Sequence, residues 1–213
     1  MKTNKEFDYE GFNKRLTAYH AKGQFLAAYR WLRGLADLRN NDAEILFPLS
    51  RICIIINKPE EAYKWAEMAW KSGEKTAWNL RYYMEAVVGV GKYRQAIDVF
   101  DAFVSKNDDI NAPGLNDARL DKAFAYAGLE MHKDAIRTAQ EHIAGRRKGS
   151  FSFYSLKEAN TLIRDSEIAI REEEMYGKTQ KSGDNEGWMT PSVGKRIERK
   201  VNELYAADDF GTL

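Results

Sequence analysis

Cysteine is nearly absent from this chain: Cys53 is the only one among 213 residues, so no internal disulfide can staple the fold. It lies in the apolar run Ile52-Cys53-Ile54-Ile55-Ile56 and reads as a small buried side chain rather than a reactive thiol. That run is the one dense stretch of β-branched residues, and proline occurs only 4 times. Both scarcities favour helices throughout. An excess of one charge sign is lacking too. A formal charge of +1 exerts no long-range pull on DNA or on a membrane surface. No window of about 18 apolar residues exists to span a bilayer. The polar opening MKTNKEFDYE has none of the apolar core of a secretory signal. A soluble cytoplasmic protein is expected.

Chemistry-bearing motifs are equally thin. The three histidines are His20, His132 and His142. None has a second histidine or a carboxylate three or four residues away, the spacing that places two ligands on one helical face. Lys71-Ser72 and Lys181-Ser182 lack the glycines a phosphate-binding loop needs ahead of them. Glu172-Glu173-Glu174 reads as a solvated helix face. Neither a catalytic constellation nor a cofactor or metal is implied, and a non-enzymatic protein is expected.

What is present is periodicity. Gly91 to Phe103 reads GKYRQAIDVFDAF, with Ile97, Phe100 and Phe103 on one helical face. Gly23-Gln24-Phe25-Leu26-Ala27-Ala28 has the same opening. Ala28, Ala62 and Ala96 are 34 residues apart, and Ala135 follows after 39. Helices pair around these positions. Asp8 caps a helix to about Lys22, whose partner runs from Gln24 to Leu38. A second pair covers 43–56 and 59–72, with Pro59 at an early helical position. Pro48 leaves two openings in its first helix, a start near Phe47 or a kink, and a buried strand over 52–56 is the rival reading. Thr76 caps the third pair, which runs to Val90 and then from Tyr93 to Val104. The stretch from Ser105 to Leu115 absorbs the five extra residues. Asn116 or Asp117 then caps a helix to about Leu129, and a further helix runs to Ala144, ended by Gly145.

Beyond the repeats, Ser155 with Glu158 forms a capping box. It opens a long helix within 150–176, expected to cap the open end of the stack. A polar linker over 177–190 holds an isolated Trp188. A short amphipathic helix over 191–207 carries the stripe Val193, Ile197, Val201 and Leu204.

Residues 10–144 resemble the tetratricopeptide repeat family. Gly91, Tyr93, Ala96 and Phe100 match its pattern, as do Gly23, Phe25 and Ala28. Ala62 and Ala135 match singly, since Asn57 and Glu130 stand where the turn glycine belongs. Ser50 and Ala123 fit the small position of the first helix, whereas Leu16 and Met84 do not. The resemblance implies an all-α solenoid of antiparallel helix pairs, a scaffold or adaptor that binds a protein or peptide along its concave side. Carried onto this register, that side presents Asn13, Thr17 and His20, then Phe47, Arg51 and Ile54. Trp78, Arg81 and Glu85 follow, then Leu120 and Phe124. Arg51 and Arg81 would pair with partner carboxylates, beside Glu85, and Trp78 would supply contact area. The apolar members have a second reading, as residues packed beneath the C-terminal helices. Exposed solenoid ends make a homo-oligomer a further expectation.

Two basic clusters carry the alternative. Arg146-Arg147-Lys148 stands near Phe151, Phe153 and Tyr154, and Lys195, Arg196, Arg199 and Lys200 share the last helix. Basic residues beside stackable aromatics suit nucleic-acid phosphates. Glu198 sits within the second cluster, Glu203 follows it, and Asp208 and Asp209 lie just beyond, which favours a solvated face instead. The primary expectation is therefore a protein-binding scaffold, with Arg51, Trp78, Arg81, Glu85, Arg146 and Arg147 as partner contacts. A nucleic-acid-associated protein is the alternative.

Overall fold

The computed structural model describes residues 7–39, 41–107, 109, 112, 114–147 and 154–181. Among the described residues there are nine α-helices and no strand: α1 (Tyr9–Ala21), α2 (Phe25–Leu38), α3 (Ala43–Ile55), α4 (Pro59–Ser72), α5 (Ala77–Gly89), α6 (Tyr93–Val104), α7 (Leu115–Gly128), α8 (His132–Arg147) and α9 (Leu156–Lys181). Successive helices pack in pairs, the first helices α3, α5 and α7 touch one another in order, and α9 closes on α8 and on α7. The chain is an α-solenoid with a long helix over its last pair.

The sharp turns inside the pairs explain the period. At Gly23, Asn57, Gly91 and Glu130 the backbone takes φ of 61°, 57°, 72° and 61°. In each case the next N–H reaches back to a first-helix carbonyl. Gln24 donates to Tyr19 at 2.9 Å, Lys58 to Cys53 at 2.8 Å, Lys92 to Val87 at 3.1 Å and Met131 to Tyr126 at 2.9 Å. This is the Schellman closure, which satisfies orphan carbonyls with one left-handed residue. Asn57 and Glu130, mismatches by residue type, thus build the same turn as the glycines. Left-handed backbone costs a residue with a Cβ about 1–2 kcal/mol, asparagine being the usual exception, so Glu130 is the strained member. Five residues beyond each turn stand Ala28, Ala62, Ala96 and Ala135, all fully buried. Their small size lets paired helices approach closely, and Ser50 Oγ donates to the Ala62 carbonyl at 2.8 Å across one such contact.

Several boundaries differ from the sequence expectation. Asp42 caps α3, its carboxylate accepting from Glu44 N at 3.2 Å. The helix then passes through Pro48 instead of starting near Phe47, and residues 52–55 are helical rather than strand. An interior proline costs about 3 kcal/mol. Fully buried Ile45, Leu46, Leu49 and Ile52 offset it, at roughly 1.5–3 kcal/mol per buried aliphatic side chain. Gly114, with φ of 89°, precedes α7, so Asn116 and Asp117 lie inside its first turn, both buried, instead of capping it. Gly145 does not end α8, which continues to Arg147. A Cβ there would stand 2.5 Å from Asn116 Oδ1, so the glycine serves close packing of α8 on α7. The Ser155–Glu158 capping box opens α9 as expected, with Glu158 N donating to Ser155 Oγ at 3.3 Å. That helix extends past Gly177 to Lys181. The expected helix over 191–207 and Trp188 lie outside the described residues.

A polar ladder joins the second helices. Tyr29 on α2 donates to Glu61 on α4 at 2.9 Å, and Lys58 Nζ sits 4.3 Å from the Tyr29 ring centre. Thirty-four residues on, Tyr63 of α4 lies 3.5 Å from Gln95 Oε1 of α6, and Lys92 Nζ is 3.8 Å from the Tyr63 ring. Burial works to raise the Glu61 carboxyl, but hydrogen bonds from Tyr29, Trp65 and Lys58 hold it below its ordinary value.

Candidate functional site

The surface expected to meet a partner is made by one face of the first helices. Helix periodicity puts Phe47 and Arg51 one turn apart on α3, and Trp78 and Tyr82 one turn apart on α5. The structure joins them into a row. The Phe47 and Tyr82 rings lie 5.8 Å apart and the Trp78 and Tyr82 rings 6.4 Å apart, the latter stacked. Phe47 is buried, while Arg51, Trp78 and Tyr82 are half-buried and reach solvent. His20 of α1 belongs to the same surface. Burial lowers its pKa, and the positive charge of Arg51 lowers it further. Arg51 and Trp78 therefore share one aromatic and cationic strip, with Tyr82 as a member that the sequence reading did not single out.

Arg81 and Glu85 are not on that strip. They are 2% and 5% exposed, and their expected role as open contacts is corrected by depth: α7 packs directly over them. Arg81 Nε lies 3.2 Å from Asp117 Oδ2 on α7, and its Nη2 lies 3.7 Å from Glu85 Oε2. Asp121, one turn along α7 and 0% exposed, accepts a 2.6 Å hydrogen bond from Tyr154 OH. One guanidinium thus faces three carboxylates in the interior. Burial opposes the Arg81 charge, but Glu85, Tyr154 and Asp117 outweigh it and raise its pKa. Burial, reinforced by Glu85, pushes the Asp121 carboxyl well above the carboxylate range despite Tyr154 and Arg81. Asp121 thereby holds a proton more readily than an ordinary carboxylate, which brings the charges nearer to balance. Nothing in the local sequence announces this cluster, because helical register shows direction and not depth.

Leu120 and Phe124 are buried as well, and the Phe124 ring meets Tyr154 at 6.4 Å. These two are interior residues, whereas Phe47 packs on Tyr82 of α5. Ile54 is half-buried.

The first basic cluster lies partly on α8. Arg146 is half-buried near the end of α8, and Arg147 closes that helix. Beside them α7 and α8 are locked by a reciprocal pair. His142 Nδ1 donates to the Asn116 carbonyl at 2.8 Å, and Asn116 Nδ2 donates to the His142 carbonyl at 3.3 Å. A carbonyl can only accept, so this bond assigns the His142 proton to Nδ1. Burial lowers the His142 pKa, and Arg146 and Arg119 add to that effect. Lys148, Phe151, Phe153 and the cluster at 195–200 lie outside the described residues. Among the described residues, no group of three or more histidine, cysteine or acidic side chains could hold a metal, and no helix is long and apolar enough to cross a membrane. Cys53 is buried, which pushes its thiol up to about 12, a packed and unreactive state.

No family model matches the sequence, and no curated protein does. Solved structures do. One structure of MamA superimposes with a TM-score of 0.52 at 18% identity, over 81% of this chain and 94% of that one. A second MamA structure gives 0.50 at 18% identity, over 76% and 95%. At this identity the likeness is one of fold: an all-α, multi-helix array.

Proposed function

We propose that the chain is a non-catalytic scaffold of tetratricopeptide-repeat character, which holds a segment of another protein along the first-helix face. The observation that carries this reading is the strip of Arg51, Trp78 and Tyr82, contributed by two adjacent repeats and partly open to solvent. Its chemistry suits a segment offering a carboxylate to the Arg51 fork and apolar or aromatic groups to Trp78 and Tyr82. Arg81 and Glu85 support the strip from beneath and touch no partner. In this reading residues 8–144 form the binding array, 150–176 its cap, 177–190 a linker and 191–207 a separate amphipathic helix. A random-peptide display selection on the whole chain tests the proposal. Selected peptides are expected to be rich in Asp and Glu and to lose roughly tenfold or more in affinity on Trp78→Ala or Arg51→Ala. Failure to select acidic binders, or acidic binders that ignore both substitutions, would remove the strip from consideration.

A further inference from the structure

A cleft of about 350 Å³ opens at the far end of the array, between the α7–α8 turn and α9. Its apolar walls are Met131 and Ile170. Its polar lining is strongly acidic, with Glu130 from the turn and Glu173 and Glu174 from α9. Two further charges reach it. Lys133 is the one cation among its described lining residues, and Asp134 is already engaged by Arg137 at 2.7 Å. At its side stands the first residue of α8, His132, 3% exposed, with neither ring nitrogen hydrogen-bonded. Glu173 Oε1 stands 3.8 Å from its Nε2. An imidazole buried in this state lowers stability unless something completes its hydrogen bonding.

We propose that this cleft receives a lysine or arginine side chain of a partner protein. Excess carboxylate sets the sign of the ligand. Phosphates and acidic peptides are repelled by it, and the described residues offer no set of three that could hold a metal ion. Met131 and Ile170 set its shape, because an aliphatic stem lies against apolar walls while its charged head turns to the carboxylates. His132 supplies a buried acceptor for one N–H of that head. The strained turn at Glu130 places a carboxylate at the rim where the earlier turns carry Gly23, Asn57 and Gly91. The cleft is built by α8 and α9 rather than α3 and α5, so it is independent of the Arg51–Trp78 strip.

The test uses the whole chain, a fluorescein-labelled (Gly-Lys)₄ peptide and its (Gly-Glu)₄ counterpart at roughly 20 mM salt, where exposed charges are little screened. The lysine peptide is expected to bind and to shift the NMR signals of the Met131 methyl and the His132 ring. Glu173→Gln with Glu174→Gln should weaken it about tenfold, in line with two lost charge contacts, and His132→Gln should weaken it further. Glu167→Gln on the same helix and Trp78→Ala should leave it unchanged. Glu173 and Glu174 are exposed, so their double variant decides the matter even if His132→Gln fails to fold. Four results would overturn the proposal: no binding, equal binding of the acidic peptide, undiminished binding by the double variant, or binding that leaves the Met131 and His132 signals in place.

Discussion

The second helices and the first helices of this array are held together by opposite kinds of polar chemistry. Between α2, α4 and α6 the links are Tyr29 with Lys58 and Glu61, then Tyr63 with Lys92 and Gln95. Both lysines lie in water, and the motif recurs at the repeat spacing. Between α5 and α7 the link is Arg81 with Glu85, Asp117 and Asp121, dry and unrepeated. An exposed pair adds little and tolerates replacement, whereas a buried charge depends wholly on its partners. The outer row can therefore recur with Glu61 exchanged for Gln95. In the inner row each side chain is fixed by the others.

The largest test of that contrast is Arg81→Met. It strands Glu85 and Asp117 in the interior and should cost ~3–5 kcal/mol in urea unfolding. A loss below about 1 kcal/mol would show that the inner row is not a coupled unit. Asp121→Asn works in the other direction. The Asp121 carboxyl titrates higher in the fold than in the unfolded chain, so its contribution is present at low pH and lost as pH rises through the native value. The asparagine variant should be more stable at pH 7 by roughly 1–3 kcal/mol, and the advantage should vanish in acid. His142 has the opposite sign. Its lowered native pKa means that stability falls as pH drops below about 6.5, where the unfolded chain takes up protons first. Unfolding curves of parent and variant across pH 4–8 separate the two slopes.

Smaller effects probe the turns and the outer row. Glu130→Gly should raise stability by about 1 kcal/mol through relief of the left-handed backbone. The matching change at Asn57 should do less, and paired thermal melts compare them. Lys58→Ala and Lys92→Ala should each lower the melting temperature only slightly, the loss shrinking as salt rises. Near-equal values at the two sites would confirm one repeated device, and a tenfold disparity in the equilibrium constants would break it.

Most of the architecture was legible because it is written locally. Asp8, Thr76 and the Ser155–Glu158 box each start a helix within one turn of where they stand. Gly23 and Gly91 mark their turns by residue type. Asn57 and Glu130 make the same turn without that mark, so spacing revealed them and composition did not. Gly145 misled, since a glycine chosen for its missing Cβ against Asn116 looks the same in sequence as one that stops a helix. The site divided on depth. Arg51 and Trp78 are where register places them, but Arg81 and Glu85 pass under α7, a fact of tertiary packing that no single helix carries. The outer ladder was readable in principle, from Tyr29 and Tyr63 and from Lys58 and Lys92, each pair 34 apart.

Tyr154 reaches Asp121 from outside the repeats, in the residues just ahead of α9. Arrays of this kind change their copy number by duplicating a hairpin, and this contact limits where a duplicate can go. A new pair inserted after α8 would carry Tyr154 away with α9 and leave the Asp121 carboxyl without its donor. A pair inserted earlier in the chain, between α2 and α3, would interrupt the outer ladder, the Arg33–Glu61 ion pair and the Tyr9–Asp42 hydrogen bond, none of which holds a fully buried charge. Growth of the array thus costs less at one end than at the other.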